Sequence, residues 1–301
     1  EKSKPLEIEA QAMGLPVIPW RMSAGLNLRG AGDVIKWANS NNVAILHSHG
    51  YKFSVLLGML PKRFRKAALV RTLHGYLKNS ADWKSTAYEW VDTWLMERHD
   101  AIVTVTRHAP EDTKRRSRRR PPVVYIPNGL PDVTFEPIVT TDLGATAGAT
   151  GYKFLCVGRL SPEKGILNAV RALAHTPSYC HLTIAGEGPQ RAAIEQEIEL
   201  LGLQERVRLV GYHSTIPKLM ANHDCLLLPS LTEGLPITVI EALRAGLPII
   251  ASSVGELPYL LSNLPAAELV PPGNVPKLID VMNRATSCGT FGQADNRAIS
   301  Y

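Results

Sequence analysis

The chain has 301 residues, of which 45% are hydrophobic and 20% are charged. This composition is typical of a globular protein, and the length favours two domains over one. No apolar run approaches the roughly 18 residues that a membrane-spanning helix needs. The opening EKSKPLEIEA does not resemble a signal peptide. We therefore expect no membrane-spanning helix.

The four cysteines follow no spacing that is typical of a metal site or a redox pair. Cys156 and Cys225 lie inside the apolar runs FLCVG and CLLLP, where a cysteine behaves as a small hydrophobic residue. The other two are Cys180 and Cys288. We therefore expect reduced thiols, a cytoplasmic protein and no metal ion.

The net charge of +6 is distributed unevenly along the chain. Residues 1–150 contain 21 Lys and Arg against 14 Asp and Glu, whereas the remaining residues contain 12 against 13. A basic first half suggests an anionic partner, such as a membrane surface, a phosphorylated acceptor or a nucleic acid. Ordinary solubilising charge explains the same asymmetry equally well.

Short apolar runs rich in Val, Ile and Leu alternate with amphipathic helical patterns. The runs are nearly continuous, as expected of strands that are covered on both faces. Repeated strand–helix–strand units with short loops predict parallel, doubly wound sheets. The predicted strands are Val43–His49, Ala67–His74, Ala101–Thr106, Val123–Pro127, Lys153–Gly158, His181–Gly186, Val207–Gly211, Cys225–Ser230 and Pro248–Ser253, and the clearest helices are Pro189–Gly202 and Ile237–Ala245.

A stretch with little periodic signal separates two such regions. It runs from residue 131 to 151 and includes TTDLGATAGATG, which is typical of a linker. The sequence therefore predicts two Rossmann-like α/β domains, residues 1–132 and 151–301, joined by a linker at 133–150. Ligands of such sheets bind at the carboxyl ends of the strands, so we expect the site in a cleft between the domains.

Two cations follow the first predicted strand of the second domain. In CVGRLSPEKG, Arg159 comes directly after the strand, and Lys164 lies near a helix start that Ser161 and Pro162 predict. A lysine near a positive helix end is locally unfavourable, so a bound anion such as a nucleoside diphosphate would account for both cations. A solvated pair, with Glu163 neutralising Lys164, is an equally good interpretation.

Two carboxylates lie eight positions apart in the otherwise apolar segment PSLTEGLPITVIEALRAG. Glu233 precedes a predicted helix, where the helix dipole favours a carboxylate, and Glu241 lies within that helix. Both could be ordinary residues, but a buried carboxylate needs partners, and vicinal sugar hydroxyls are suitable ones. The backbone amides at the helix start would form an anion or hydroxyl cradle, at Gly234, Leu235 and Ile237.

Several motifs together resemble a known family. VGRLSPEKG, LTIAGEGP, RVRLVGY and LPSLTEGLPITVIEALRAGLPIIASSVGELPYLL, followed by LVPPGN, occur in an order and at separations that closely resemble the retaining glycosyltransferases of family 4. They cover most of residues 152–275. VAILHSHG, LVRTLHG and VVYIPNGLP in the first half are similar more loosely. The resemblance implies the GT-B fold, with two Rossmann-like domains facing across a cleft, and the bacterial polysaccharide and lipid-linked glycan branch.

The resemblance also implies a role for each matching position. Glu233 would bind hydroxyls of the donor sugar, and Glu241 would hold the ribose hydroxyls. Arg159 and Lys164 match the family's diphosphate clamp, which stabilises negative charge as the nucleoside diphosphate leaves. These glutamates would then be binding residues, not the acid and base of a glycosidase.

Other matching positions surround the sugar and the base. His74 in TLHG matches a cleft histidine near the donor sugar, although the residues alone favour a structural histidine. His49 would line the acceptor side. The loop GYHST would recognise the nucleobase largely through its backbone, at Gly211, Tyr212 and His213.

The reaction that the resemblance implies is transfer of a sugar, with retention of configuration, from a UDP- or GDP-linked donor to a glycan or lipid-linked acceptor. It implies no metal ion and no other cofactor. Two departures leave an alternative open: the family's first strand and Gly-rich loop do not precede KPLEIEAQAMGLPV, and the pattern fades after Pro276. The first domain is therefore expected to be shortened. The alternative is a catalytically impaired nucleotide-binding or scaffold protein, or a fragment.

A basic run, KRRSRRR, occupies Lys114–Arg120. It would suit anionic lipid head groups at the inner face of the cell membrane. A nucleic acid is not favoured, because no interleaved aromatic residues or recognised motif accompany the run. A solvated helix end is an equally good interpretation. The nearby helical pattern Trp83–His99 would suit an acceptor or membrane face, but core packing is favoured.

Overall fold

The computed structural model describes residues 5–20, 27–74, 91, 94–107, 121–130 and 151–287. Its contacts divide the chain into two compact units. The first contains Glu1–Thr72, Thr86–Ile102 and Ser117–Pro122, and the second contains Leu73–Ser85, Val103–Arg116 and Val123–Tyr301. The predicted linker at 133–150, the run Lys114–Arg120 and most of the predicted helix Trp83–His99 lie outside the described residues.

A four-stranded sheet in the order β1-β2-β3-β4 lies in the amino-terminal part of the chain. β1 and β2 are parallel, with Ile45 opposite Ala68. The elements are α1 Pro5–Ala12, α2 Leu28–Ser40, β1 Ile45–Ser48, α3 Tyr51–Met59, a 3₁₀ turn Lys62–Phe64, β2 Ala68–Leu73, β3 Ala101–Thr104 and β4 Val123–Tyr125.

Helix α2 shows how the sequence builds this unit. Its amino end is capped by Asn27, whose side chain accepts a hydrogen bond from the Gly30 amide at 2.9 Å. The apolar positions Ala31 and Ile35 then face inward at helical spacing and pack with Leu56 of α3 and Leu69 of β2.

A six-stranded parallel sheet forms the second region, in the order β10-β9-β8-β5-β6-β7. Its elements are β5 Lys153–Val157, a 3₁₀ turn Pro162–Lys164, α4 Ile166–Leu173, β6 His181–Ala185, α5 Arg191–Leu200, β7 Val207–Gly211, α6 Ile216–Met220, β8 Cys225–Leu228, α7 Ile237–Arg244, β9 Ile249–Ser252, α8 Leu257–Leu261, β10 Ala267–Val270 and α9 Val275–Ser287.

Successive residues of β5 point into two different cores. Phe154 and Cys156 pack in one cluster with α4, α5 and α9, whereas Leu155 packs in a second cluster with α6, α7 and α8. All three side chains are fully buried. Helices therefore cover both faces of the sheet, as its nearly continuous apolar strands predict.

The order of this sheet reverses between β5 and β8. The chain builds outward from β5 through β6 to β7, then returns to β8 on the other side of β5 and continues to β9 and β10. Ligands of doubly wound sheets bind at such a reversal, beyond the carboxyl ends of the two strands. The fold therefore predicts a site formed by the loops that follow β5 and β8.

Three findings concern the sequence expectations for membranes, metals and thiols. Within the described ranges, no helix is both long and apolar enough to cross a bilayer. The same residues contain no group of three or more His, Cys, Asp and Glu side chains that could hold a metal ion. Cys156, Cys180 and Cys225 are free and buried, and burial raises the pKa of the Cys156 thiol to about 12.

Candidate functional site

The two loops at the reversal point lie side by side because their strands are paired. Phe154 and Leu155 of β5 are in register with Cys225 and Leu226 of β8. Parallel strands end at the same edge of a sheet, so the residues that follow β5 and those that follow β8 meet there. This edge brings Lys164 and Glu233 together, although they are 69 positions apart in the sequence.

A buried carboxylate is the centre of this arrangement. The Glu233 side chain is 8% exposed, and its Oε1 accepts a hydrogen bond from the Lys164 ammonium at 2.7 Å. The same oxygen accepts a hydrogen bond from the hydroxyl of Ser230, which is fully buried, at 2.7 Å. Both bonds end on Oε1, and none of the hydrogen bonds among the described residues ends on Oε2.

The backbone of the first loop holds Lys164 in this position. Pro162–Lys164 form one 3₁₀ turn, after which Gly165 adopts the left-handed conformation at φ 61°. A Cβ atom at Gly165 would lie 2.2 Å from the Pro229 carbonyl oxygen, so only glycine permits this close approach. The Leu231 amide also donates to the Glu163 carbonyl at 2.7 Å, which joins the two loops directly.

Arg159 and Glu163 complete the first loop. The Ser161 hydroxyl donates to the Glu163 carboxylate at 2.5 Å. Burial acts to raise the pKa of Glu163, but the Ser161 bond, together with Arg159 and Lys164, brings that pKa below its ordinary value. Arg159 itself is exposed. Lys164 forms its ion pair with Glu233 and not with Glu163, although its charge still contributes to lowering the pKa of Glu163.

Glu241 lies in α7, one helical turn beyond the loop that carries Glu233. It is half-buried, and burial raises the pKa of its carboxyl group above the ordinary value. Ile237 is the first residue of α7, so its amide is one of those that an α-helix leaves without an intrahelical acceptor. A polar ligand at this helix start would meet both an amide and a partly desolvated carboxylate.

Gly234 and Leu235 are buried, and backbone contacts fix the loop that contains them. The Gly234 carbonyl accepts a hydrogen bond from the Glu256 amide at 3.0 Å. A Cβ atom at Gly234 would lie 2.3 Å from the carbonyl oxygen of His74, a residue that belongs to the same compact unit. The structure thus brings the main chain of His74 beside the loop, and the side chain of His74 is exposed.

The other predicted residues belong to other elements of the chain. His49 belongs to the first unit, where its ring contacts that of His47 at a tilt of 36°, with centroids 4.2 Å apart. Gly211 ends β7, at the edge of the second sheet and two strands from β5. Tyr212 is 67% exposed, and the Nδ1 atom of His213 accepts a hydrogen bond from the Thr215 amide at 3.2 Å. A role for this loop in base recognition stays a prediction.

Sequence reasoning did not identify Ser230 as a site residue. Its signal is a serine that directly follows the apolar strand CLLLP and precedes Glu233 by three positions. A buried hydroxyl needs a hydrogen-bond partner, and the nearest carboxylate in the sequence is Glu233. Glu256, which is 3% exposed and accepts a hydrogen bond from the Arg107 amide, was also not predicted.

Comparison with known proteins adds independent evidence. Residues 146–301, more than half of the chain, match the family described as glycosyl transferases group 1, and residues 4–129 match a glycosyl transferase 4-like domain.

An Escherichia coli UDP-Gal:α-D-GlcNAc-diphosphoundecaprenol α-1,3-galactosyltransferase is 23% identical, over 93% of this chain and 76% of its own length. The phosphatidylinositol N-acetylglucosaminyltransferase GPI3 subunit of Saccharomyces cerevisiae is 24% identical, over 86% of this chain and 56% of its own length. An α-D-kanosaminyltransferase of Streptomyces kanamyceticus is 32% identical, but over only 43% of this chain and 35% of its own length.

Solved structures share the fold. HepE of Anabaena in complex with UDP-glucose superposes with a TM-score of 0.79 at 20% identity, covering 96% of this chain and 81% of that one. Sucrose-phosphate synthase of Thermosynechococcus elongatus gives a TM-score of 0.74 at 20% identity, covering 92% and 74%. The predicted GT-B fold is therefore confirmed, and the chain belongs to the glycosyl transferases group 1 family.

Proposed function

We propose that this protein is a retaining glycosyltransferase of family 4, which transfers a sugar from a UDP- or GDP-linked donor to a glycan or lipid-linked acceptor. The observation that carries the proposal is the group formed by Lys164, Glu233 and Ser230 at the reversal point of the second sheet. It offers a cation for a phosphate and a carboxylate oxygen for a sugar hydroxyl within one short stretch of surface.

Each residue has a role that its surroundings support. Lys164, together with the exposed Arg159, would stabilise the charge that develops on the departing diphosphate. Glu233 would orient the donor sugar through Oε2, because Oε1 is engaged by Lys164 and Ser230. Glu241 would accept hydrogen bonds from ribose hydroxyls, which would compensate a carboxylate that burial has partly desolvated.

The roles of the remaining residues rest on the motif resemblance. We propose that His74 contacts the donor sugar, that His49 lines the acceptor side, and that the loop at Gly211 recognises the base. Retention of configuration and a reaction without a metal ion are likewise carried over from the motifs. The leaving phosphate would then take the proton of the acceptor hydroxyl, so no carboxylate is needed as a general base.

The relatives support the choice of a lipid-linked acceptor. The Escherichia coli relative is named for a diphosphoundecaprenol acceptor and a UDP-galactose donor, and the yeast relative is named for phosphatidylinositol. A protein acting on such acceptors would work at the inner face of the cell membrane.

The proposal is tested by incubating the protein with a panel of UDP- and GDP-sugars and a membrane extract, and by following release of the nucleoside diphosphate. Wild type should release it, and Glu233→Ala, Glu241→Ala and Lys164→Ala should each reduce the rate. Lys277→Ala is the matched control, because Lys277 is an exposed lysine that pairs with Asp280 on α9. Equal rates in all five proteins would contradict the assignment of the site.

Two further measurements separate the parts of the proposal. Nuclear magnetic resonance of the product shows whether the anomeric configuration is retained, and addition of a chelator shows whether a metal ion is required. Saturable stabilisation by UDP or GDP without turnover on any acceptor would instead favour a catalytically silent nucleotide-binding protein.

A further inference from the structure

A basic and aromatic surface lies at the end of the first sheet where strands β2 and β3 begin. We call it the amino-edge face and define it by Lys62, Arg63, Phe64, Lys66, Trp94 and Arg98. The first four residues lie just before β2, and the last two lie just before β3. β2 and β3 are neighbours in the sheet, so the two segments meet where the strands begin.

Hydrogen bonds fasten the two segments to each other. Asp100 accepts from Lys62 at 2.5 Å and from Arg65 at 2.6 Å. Arg65, which is buried, also donates to the Arg98 carbonyl at 3.1 Å. The side-chain amide of Asn39 in α2 donates to the Phe64 carbonyl at 2.8 Å. The amino-edge face is therefore a fixed part of the folded unit.

The two aromatic side chains of this face are half exposed, Phe64 at 52% and Trp94 at 49%. A guanidinium group lies over each ring. Arg63 is 4.9 Å from the ring centroid of Phe64, and Arg98 is 4.5 Å from that of Trp94. Each pair presents a large apolar ring and a positive charge together, the combination that suits the boundary between lipid head groups and acyl chains.

The charge of this face is strongly positive. Lys62, Arg63, Lys66 and Arg98 are all exposed, and among the described residues of these two segments the exposed acidic residue is Glu97. Asp100 is already engaged by Lys62 and the buried Arg65, so it does not offset the other three cations. A surface of this kind attracts an anionic partner rather than an apolar or acidic one.

We propose that the amino-edge face docks on a bilayer that contains anionic lipids. The exposed cations contact the lipid head groups, and the rings of Phe64 and Trp94 enter the head-group layer. A nucleic acid fits less well, because a guanidinium group already lies over one face of each ring and leaves less ring surface for stacking on bases. The amino-edge face does not include the run Lys114–Arg120.

The test is sedimentation of the full chain with vesicles of phosphatidylcholine, alone and with added phosphatidylglycerol. We expect binding to the anionic vesicles, falling as salt is added. The triple variant Arg63→Gln, Lys66→Gln, Arg98→Gln should bind on the order of a hundredfold more weakly, since each basic residue at a membrane surface contributes severalfold. The matched control replaces three exposed basic residues of the second unit by glutamine, at Arg208, Lys218 and Lys277.

A second readout follows the aromatic contact. Anionic vesicles should shift tryptophan fluorescence to shorter wavelength, and Trp94→Phe should lose most of this shift, whereas Trp37→Phe should retain it. Circular dichroism confirms that each variant is folded. Equal binding to both vesicle types, or equal binding by the triple variant and the control, would overturn the proposal. Binding of the face to single-stranded oligonucleotides with none to vesicles would do the same.

This docking can be separated from the proposed transfer reaction. The vesicles contain neither donor nor acceptor, so a catalytically inactive protein would still bind them. If transfer is found and docking is not, the reaction stands and the membrane inference fails. If docking is found and transfer is not, the membrane inference stands by itself.

Discussion

The Lys164 ammonium lies 2.7 Å from Oε1 of Glu233, and the two side chains are 25% and 8% exposed. Because the pair is partly buried, removal of either charge is costly, since the remaining charge would lack its partner. The pair therefore holds both groups in place before a donor arrives. A donor that offers a phosphate to Lys164 and a hydroxyl to Glu233 would meet a preorganised site.

Replacement of Lys164 tests this arrangement. Lys164→Gln should lower kcat/KM for transfer by about 100- to 1,000-fold, the range seen when one donor to a developing oxyanion is removed. Steady-state kinetics with a competent nucleotide sugar provide the measurement, and Lys277→Gln is the control. A reduction shared equally by both variants would show that general loss of positive charge, not the position of Lys164, is responsible.

Ser230 offers a second test, because its hydroxyl and the Lys164 ammonium bind the same oxygen of Glu233. In Ser230→Ala the carboxylate loses one of these two restraints and can rotate, so transfer should fall more than the affinity for UDP or GDP. The free energy of unfolding should fall by about 1 kcal/mol, the usual contribution of one hydrogen bond.

The matched control for Ser230 is Ser252→Ala, since Ser252 is a buried serine at the end of the neighbouring strand β9. Transfer and nucleotide affinity should be near wild type in this variant. The positioning role of Ser230 fails if Ser230→Ala leaves transfer unchanged, or if it lowers transfer and nucleotide affinity by the same factor.

Glu241 should show opposite effects on stability and binding. Its folded pKa is raised by burial from an ordinary value of 4.5, so ionisation of this carboxyl group opposes folding. This opposition is absent well below pH 4.5, and it grows as the pH rises from 4.5 through the raised pKa of the folded state. Glu241→Gln should therefore raise Tm at pH 7, have little effect near pH 4, and weaken nucleotide binding.

Thermal unfolding across this pH range, with and without UDP or GDP, measures both effects of Glu241→Gln. Glu199→Gln is the comparison, because Glu199 is an exposed glutamate on α5. A lower Tm at neutral pH for Glu241→Gln would show that the carboxylate stabilises the empty protein, which contradicts the interpretation of its raised pKa.

Gly255 supports the loop that carries Glu233. It adopts φ 57°, and a Cβ atom there would lie 2.4 Å from the Glu233 carbonyl oxygen and 2.5 Å from that of Gly234. Gly255→Ala should therefore destabilise the fold by more than the roughly 1–3 kcal/mol expected for backbone strain alone, because the Cβ atom also clashes with the loop, and it should impair transfer. Chemical denaturation and kinetics measure the two effects.

Gly202 supplies the control for this substitution. Its φ of 64° is similar, but a Cβ atom there meets nothing within 4 Å. Gly202→Ala introduces backbone strain but no steric clash. It should therefore lower the free energy of unfolding by less than Gly255→Ala does, and it should leave transfer near wild type. Equal effects of the two substitutions would remove the contact with the loop as the explanation.

Asp100 should stabilise the first unit in a pH-dependent way. Burial acts to raise its pKa, but hydrogen bonds from Lys62, the Leu69 amide and Arg65 bring the pKa far below its ordinary value. This stabilisation is complete above the ordinary carboxyl pKa and is lost as the pH falls toward the lowered one. Asp100→Asn should destabilise the fold by about 3–5 kcal/mol, because the Arg65 side chain, 3% exposed, would lose its charged partner.

Lys62→Ala is the internal comparison for Asp100→Asn. Lys62 contacts the same carboxylate, but its side chain is 75% exposed, so the substitution should cost less than about 1 kcal/mol. Urea unfolding at neutral pH measures both variants. A small effect of Asp100→Asn would show that water compensates Arg65.

Much of the fold could be predicted from apolar runs alone. Each of the nine predicted strands contains an observed strand, usually shortened by one to three residues at its ends. β10 was missed because Ala267–Val270 is an edge strand with three half-buried residues, and it includes Glu268, so it lacks a continuous apolar signal. The sequence analysis found no family resemblance after Pro276, where α9 lies. In the structure Leu278, Val281 and Met282 of this helix pack into the main core at helical spacing.

The candidate site was less accessible to sequence reasoning than the fold. Arg159 and Lys164 could be placed at a strand end from local signals, but their proximity to Glu233 required the strand order, which a single sequence does not specify. The bond from Ser230 to Glu233 has a local signal, a serine three positions before a carboxylate, but its use also required the burial of Ser230, which only the packed sheet shows.

The reversal of strand order between β5 and β8 has a consequence for folding kinetics. Strands β5, β6 and β7 are consecutive in the sequence, and each pairs with the next. The β5–β8 pairing closes a loop of about 70 residues and is expected to form more slowly. An intermediate containing only β5, β6 and β7 would bury much of the core that includes Phe154. In this intermediate Lys164 would not yet contact Glu233. Nucleotide binding would then report the last steps of assembly, and the delay between core burial and binding would measure the time that β8 takes to join the sheet.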